Sequence, residues 1–352
     1  MKKNMLHSFR WAILVTIVGI LLSILIGWNT THTISGTSEV LYICIILSII
    51  EISLSCDNAI LNAQQLQKMS PLWQKRFLTW GILISVFVMR IIFPIMIFCI
   101  SATINPIEAV KIALFSPQDY SKVMTEAHLP IAGFGGTFLM MISLSFFFDT
   151  RKNIHWISFL EKPMSYLAKI KGLKFFLTLS VAMGIAFALP RKDVYILFYS
   201  SLFAITVFYA ICLLEYILSS DNGATILKKK KYGLSLFLYL EIIDASLSFD
   251  GVISAFALTK NFLIIIIGLA IGAVYVRSMT LVMMEKGILN RYKYLEHGAF
   301  YSILVLSIMM FLQTIRHIPE IITGTCSIIF ILLSIYSSIV RDRKNSSTKK
   351  RI

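Results

Sequence analysis

Residues 51–60 read EISLSCDNAI, and residues 244–253 read DASLSFDGVI. Each stretch lies inside a long apolar run, where a lipid-facing helix should carry no charge. The two align at an offset of 193, which places Glu51 on Asp244 and Asp57 on Asp250. A second pair of stretches follows them: GILISVFVMR at 81–90 and GLAIGAVYVR at 268–277, each with a glycine nine residues before an arginine. The chain therefore carries an acidic span followed by an arginine-bearing span twice, and we read this as an internal repeat.

The surrounding sequence says what kind of fold holds it. Of 352 residues 57% are hydrophobic and only 14% charged, and the mean hydropathy is +0.79. Apolar content this high, spread along the whole chain, predicts a multi-span membrane protein and not a soluble core with one anchor. A span needs about 20 mostly apolar residues. Ten candidates satisfy this, near 9–28, 39–62, 77–100, 130–148, 173–189, 194–218, 232–258, 261–284, 298–315 and 319–340. The apolar run after MKKNMLHSFR is long for a signal peptide and lacks a small-residue cleavage site, so it is read as a retained first span. The expected organisation is a first helix and outer loop (1–38), a first repeat (39–148), a central connector (149–231), a second repeat (232–315), and a last helix with a basic tail (316–352).

Charge gives the direction. With the N-terminus in the cytoplasm, 25 of the 33 lysines and arginines fall on the inner side and 6 on the outer; Arg90 and Arg277 lie within spans. This asymmetry predicts both termini inside. It also makes the two acidic spans antiparallel, the arrangement that many secondary transporters use to place polar residues near the midplane. The net charge of +15 does not point to nucleic acid, because the basic residues punctuate apolar runs and form no aromatic-laced stripe. The five cysteines are scattered with no CxxC, which excludes a disulfide framework, a redox pair and a thiolate metal site.

Five acids fall inside the repeat spans: Glu51, Asp57, Glu241, Asp244 and Asp250. Ionised and unpaired, each costs about 2.5–3.5 kcal/mol at the midplane, together on the order of 12–18 kcal/mol. That matches or exceeds a typical net stability of about 5–15 kcal/mol. They must be paired, protonated or bound to a cation. Arg90 and Arg277 serve as ion-pair partners or gates and neutralise two, which leaves three negative charges for a divalent cation and protons. Glu241 and Asp244 share a helix face, but Glu51 and Asp57 are six apart and do not. One site can use both only if the helix unwinds locally; Ser55, Asn58 and Gly251 favour that. Ser55, Ser248 and Asn62 are candidates for lining a path, and Glu296 and His297, in YLEHGAF, for an entry site or proton relay.

The ligand set is oxygen: carboxylate, amide, hydroxyl and freed carbonyl. No histidine falls in these spans, and Cys56 is matched by Phe249, which makes it a packing residue. Such a set suits Mn²⁺, Mg²⁺ or Ca²⁺ better than Zn²⁺ or Cu⁺. The alternative is a set of ion pairs that only fix helix packing. A third echo, EYILSSDNGA at 215–224, is either functional or a solvated helix end beside the lysines at 228–231. GFGG at 133–136 reads as close helix packing, since no lysine-serine follows it to make a phosphate cradle. No nucleophile–base constellation appears, so neither an enzyme nor an organic cofactor is expected.

EISLSCDNAILNA, FLTWGILISVFVMRIIFP, YLEIIDASLSFDGVISAFALT, GLAIGAVYVRSMTL and YLEHGAFY occur in this order within residues 39–310. Together they resemble a bacterial membrane family long labelled a domain of unknown function and related to TerC, the tellurium-resistance membrane protein. The resemblance implies an inner-membrane protein of a superfamily that includes manganese exporters. It implies that Glu51, Asp57, Asn58, Asp244 and Asp250 are metal-binding residues. The chain departs from the commoner pattern at Cys56 and at Gly251, which follows Asp250 where an asparagine is expected. The function expected is export of a hard divalent cation, Mn²⁺ first, as substrate. The rival is a membrane scaffold or metal-sensing component of a tellurite or metal-stress complex that moves nothing. The oligomeric state is not legible.

Overall fold

The computed structural model of the chain describes residues 5–150, 152, 154–170, 172–220, 225–316 and 318–349. Among them there are helices and no strands. In chain order the helices are α1 (Met5–Thr31), α2 (Ile34–Leu54), α3 (Cys56–Lys68), α4 (Pro71–Leu83), a π-helix (Ile84–Ile92), α5 (Phe93–Ala102), α6 (Pro106–Phe115), α7 (Pro117–Glu126), α8 (His128–Phe147) and α9 (Ser158–Leu167). They continue with α10 (Leu173–Ala186), α11 (Arg191–Ser220), α12 (Thr225–Leu258), α13 (Phe262–Glu285), α14 (Ile288–Arg291), α15 (Leu295–Gln313) and α16 (Glu320–Lys349).

Seven of these are long and apolar enough to cross a bilayer among the described residues: α1, α2, α8, α11, α13, α15 and α16. The pair Pro71–Gly81 and Ile84–Met96, bent by 41°, makes an eighth if it is one span. The chain is thus a helical membrane protein. Its outer helices turn large apolar side chains outward, such as Leu21, Leu25 and Leu332, while Glu51, Asp57 and Arg277 are buried. That inversion of the soluble pattern follows from lipid being as apolar as leucine, so charge goes to the bundle interior.

Two interruptions of regular helix matter for the site. The expected span 39–62 is α2 and α3, broken at Ser55 (φ −98°, ψ 14°). The expected span 77–100 contains the π-helix. Pro94, four residues after Arg90, has no N–H to give to the Arg90 carbonyl, and its ring collides with that carbonyl. The π turn just before Pro94 relieves both problems. The stretch 101–129 holds two short helices, α6 and α7, each opened by a proline at its first turn.

Packing places the repeat at the centre. α2 lies along α13, with α1 against both, and α3 touches α13 and α15. α8 packs on α11 and α15. The GFGG stretch allows this close approach. A Cβ on Gly136 would stand 3.2 Å from the Ser307 carbonyl, and the Ser307 hydroxyl donates to the Gly136 carbonyl at 2.7 Å. A Cβ on Gly133 would strike Ser200.

Candidate functional site

The break at Ser55 sets the first half of the site. The Ser55 N–H closes α2 on the Glu51 carbonyl at 3.1 Å, and its hydroxyl donates to Glu51 Oε1 at 3.2 Å. Helix restarts at Cys56, so Asp57 stands in the first turn of α3. Asp57 Oδ1 accepts the Asn58 N–H at 2.8 Å, and Oδ2 accepts the Ser302 hydroxyl at 3.0 Å. Ser302 also lies 2.6 Å from the Ser327 hydroxyl on α16, and Asp57 is fully buried. No ion pair is seen to Asp57 among the described residues.

Glu51 is answered by Arg90, which pairs with its Oε1. The same guanidinium donates to the Ser85 carbonyl at 2.5 Å and lies 3.1 Å from the Ser85 hydroxyl. Ser85 and Arg90 are five residues apart and would point about 140° away from each other on an α-helix. The wider π turn brings them onto one face. In the other half Arg277 donates to Asp244 at 3.2 Å, stands 3.6 Å from Glu241 and lies 4.0 Å over the Phe77 ring. The Asn58 amide donates to Asp244 and so joins the halves.

These contacts come in matched pairs. Residues of α2 and α3 correspond to α12 at the offset of 193, and residues 81–90 correspond to α13 at an offset of 187. Glu51 meets Arg90, as Asp244 meets Arg277. Ser48 donates to the Gly268 carbonyl at 3.1 Å, and Glu241 stands against Gly81, where a Cβ would be 3.0 Å from Oε1. Glu51 packs on Gly272, and Asp244 has the Ser85 side chain as a hydrogen-bond neighbour. Asn58 reaches Asp244, and a Cβ on Gly251 would be 2.9 Å from Glu51 Oε2. In each case one contact becomes the other when the two halves exchange labels.

The chain belongs to the DUF475 family. The family model, described as a protein of unknown function, matches residues 56–345, most of the chain. No curated protein and no solved structure matches it. The matched stretch begins within the acidic motif. It includes Asp57, Asn58, Arg90, Glu241, Asp244, Arg277, Ser302 and Ser327, and it leaves Glu51 just outside. It runs further toward the C-terminus than the five motifs do and reaches α16.

Four described acids, Glu51, Asp57, Glu241 and Asp244, face two arginines, so two negative charges are left when all are ionised. Among the described residues, several buried atoms of this DUF475 core lack a hydrogen-bond partner: Glu241 Oε1 and Oε2, Asn58 Oδ1, both amide atoms of Asn62, Thr323 Oγ1, Arg90 Nε and Arg277 Nη1. The oxygens in that set are hard donors of the kind that suit Mn²⁺, Mg²⁺ or Ca²⁺. Among the described residues, no three His, Cys, Asp or Glu side chains stand together so as to hold a metal ion. Glu51 pairs with Arg90, Glu241 and Asp244 share Arg277, and Asp57 rests on the Asn58 N–H and the Ser302 hydroxyl. The side chains of Ser248 and Asp250 and the 215–224 echo's Glu215 and Asp221 lie outside the described residues.

The expected entry pair splits. Glu296 accepts the Gln64 amide at the far end of α3. His297 turns to the 148–170 connector, with Nε2 2.9 Å from the Ile154 carbonyl and 3.3 Å from Glu161. Both neighbours are acceptors, so Nε2 carries the proton. Sequence reading missed Glu161, which is buried and collects His155 at 3.4 Å, Lys152 at 3.8 Å and the backbone N–H groups of Trp156 and Ile157. Burial works against its charge, but the His297 hydrogen bond, the His297 and Lys152 charges and the Ile157 N–H outweigh it and hold the carboxyl below its usual range. Lys152 is pushed down to about 8 by burial, against the pull of Glu161. Ser302 and Ser327 were also missed, because nothing in the sequence aims them at Asp57. A signal for Glu161 existed in its being an isolated acid in the otherwise basic connector 150–174.

Proposed function

We propose that this protein is a TerC-like transporter that carries a hard divalent cation, Mn²⁺ foremost, across the bacterial inner membrane. The observation that carries this reading is the set of reciprocal contacts around a buried carboxylate cluster with two uncompensated negative charges. Contacts that exchange under relabelling are those of two repeats related by a two-fold axis. With the lysine asymmetry of the sequence, that axis lies in the membrane plane, the repeats are inverted, and the chain spans the bilayer ten times with both ends in the cytoplasm. The inner face then supplies the ion, and export releases it outside.

The two halves have unlike shapes, which is what alternating access requires. One half has a broken acidic span and a π turn under its arginine. The other has α12 continuous through Ser248 and Arg277 on regular helix. In this reading an arriving cation displaces the arginines from the acids and takes their oxygens, with Asp57, Asn58 and the Ser302 hydroxyl as first ligands. Protonation on the outer side weakens the site and returns the arginines.

The test is Mn²⁺ flux into vesicles holding purified protein, with Asp57→Asn alongside. Wild type is expected to move Mn²⁺, and the variant to lose at least tenfold in rate at equal incorporation. Equal flux in both refutes the assignment of Asp57. The second reading, a scaffold or metal sensor, is favoured by one observation: the arginine pairs already satisfy two of the acids, and among the described residues no three-ligand cluster is formed. Metal binding with no flux in the same vesicles selects it.

A further inference from the structure

A cavity of about 460 Å³ opens at the end of the bundle where the basic connector 149–174 lies. Lys68, at the end of α3, and Lys174, in the first turn of α10, both line it. The Lys174 amine is 3.1 Å from the Ser145 hydroxyl, a neutral partner. Asp149 lies on the same rim, within electrostatic reach of Lys152. The lining side chains thus sum to one positive charge, two lysines against Asp149, and Lys68 also lies within electrostatic reach of Glu296. α10 begins at Gly172 with no side chain accepting from its first turn, so its backbone donors add to the positive end. The lining is also apolar and aromatic, with Phe208, Ile211, Leu236 and Tyr239 from α11 and α12. α8, which ends at Phe147, and α11 are helices that cross the bilayer, so the cavity stands at the level where head groups meet acyl chains.

We propose that this cavity binds an anionic phospholipid, with the headgroup phosphate between Lys68 and Lys174 and an acyl chain along Phe208, Ile211 and Tyr239. A cationic rim over an apolar wall at a helix-end border fits a molecule with one phosphate and one hydrocarbon tail. A free anion would use the rim and leave the wall bare. The site is apart from the carboxylate cluster, and the proposal does not depend on transport.

The test is lipid retention by the purified full chain in neutral detergent, read by native mass spectrometry, with phosphatidylglycerol, phosphatidylcholine and inorganic phosphate as separate additions. Wild type is expected to retain phosphatidylglycerol at least tenfold better than phosphatidylcholine. Lys68→Gln/Lys174→Gln is expected to lose that preference, and Lys174→Arg to keep it. Thermal unfolding checks that each variant is folded; if the double variant is not, Lys174→Gln alone must lower the preference at least threefold. Equal retention of the two lipids by wild type overturns the proposal. So does an undiminished preference in the folded glutamine variant, or inorganic phosphate displacing phosphatidylglycerol from wild type.

Discussion

The reciprocal contacts make a quantitative claim about residues 51 and 272. In one half a glutamate lies against glycine; in the other an aspartate lies beside serine, at Asp244 and Ser85. Changing Gly272→Ser alone drives a Cβ into the Glu51 side chain and to 3.3 Å from the Ser48 carbonyl. Overpacking of this kind costs about 1–3 kcal/mol. Changing Glu51→Asp alone removes one buried methylene, about 0.8 kcal/mol. It also draws the carboxylate back from Arg90, and a hydrogen bond between charged groups contributes about 1.5–3 kcal/mol. Aspartate keeps the Cβ and Cγ that meet the new Cβ, so the crowding persists in the double variant. The gain is the serine hydroxyl, which donates to the shortened carboxylate from the place that Ser85 holds beside Asp244. The expected coupling is about 1–2 kcal/mol in favour of the double variant, within the range seen for contacting residues. The assay is reversible unfolding in mixed micelles for wild type, both single variants and the double. Losses that add to within about 0.5 kcal/mol mean that the two positions do not exchange roles, and the pairing of the halves falls with them.

Arg277→Met leaves Asp244 and Glu241 buried without their guanidinium and takes the cation from the Phe77 face. The same micelle unfolding should show a loss of about 3–5 kcal/mol, and a loss under 1 kcal/mol shows that these acids are not charged there. Glu161 gives a pH dependence with a definite sign. Its folded pKa lies below the unfolded value of 4.5, so its stabilisation is present above that pH and is lost as pH falls through the folded pKa. Thermal stability of wild type should therefore fall between pH 5 and 3 more steeply than that of Glu161→Gln; parallel curves refute the cluster.

Much of this was legible in the sequence because it is local or repeated. Apolar runs gave the helical membrane fold, and Ser55 and Asn58 marked the helix break, whereas Gly251, expected to favour unwinding in the other half, lies within continuous α12. The doubled motif marked Glu51, Asp244, Arg90 and Arg277, which the structure joins in two ion pairs. Seven helices, or eight with the bent pair, meet the criteria for a span among the described residues, against ten candidates in the sequence. The difference lies in segments such as α10, which is only 14 residues long, and α12, whose polar residues dilute its apolar character. The π turn was hidden although its cause, Pro94, stood in view, because a proline announces a disturbance and not its form. Ser302, Ser327 and Glu161 were invisible for another reason. A serine on an apolar helix or an acid in a loop acquires meaning only from what tertiary packing brings to it, and no spacing rule reaches across 245 residues from Asp57 to Ser302.

The unlike shapes of the two acidic spans bear on energetics. An object made of two identical halves that must differ in shape has two ground states of equal energy, told apart only by which half is bent. Here the halves differ at 12 of the 20 aligned motif positions, and these differences lift the degeneracy; around the acids they are Glu51 for Asp244, Asn58 for Gly251, Ser85 for Gly272 and Cys56 for Phe249. Such differences set the resting bias of the molecule, and changes that make the halves more alike should bring its two forms toward equal occupancy.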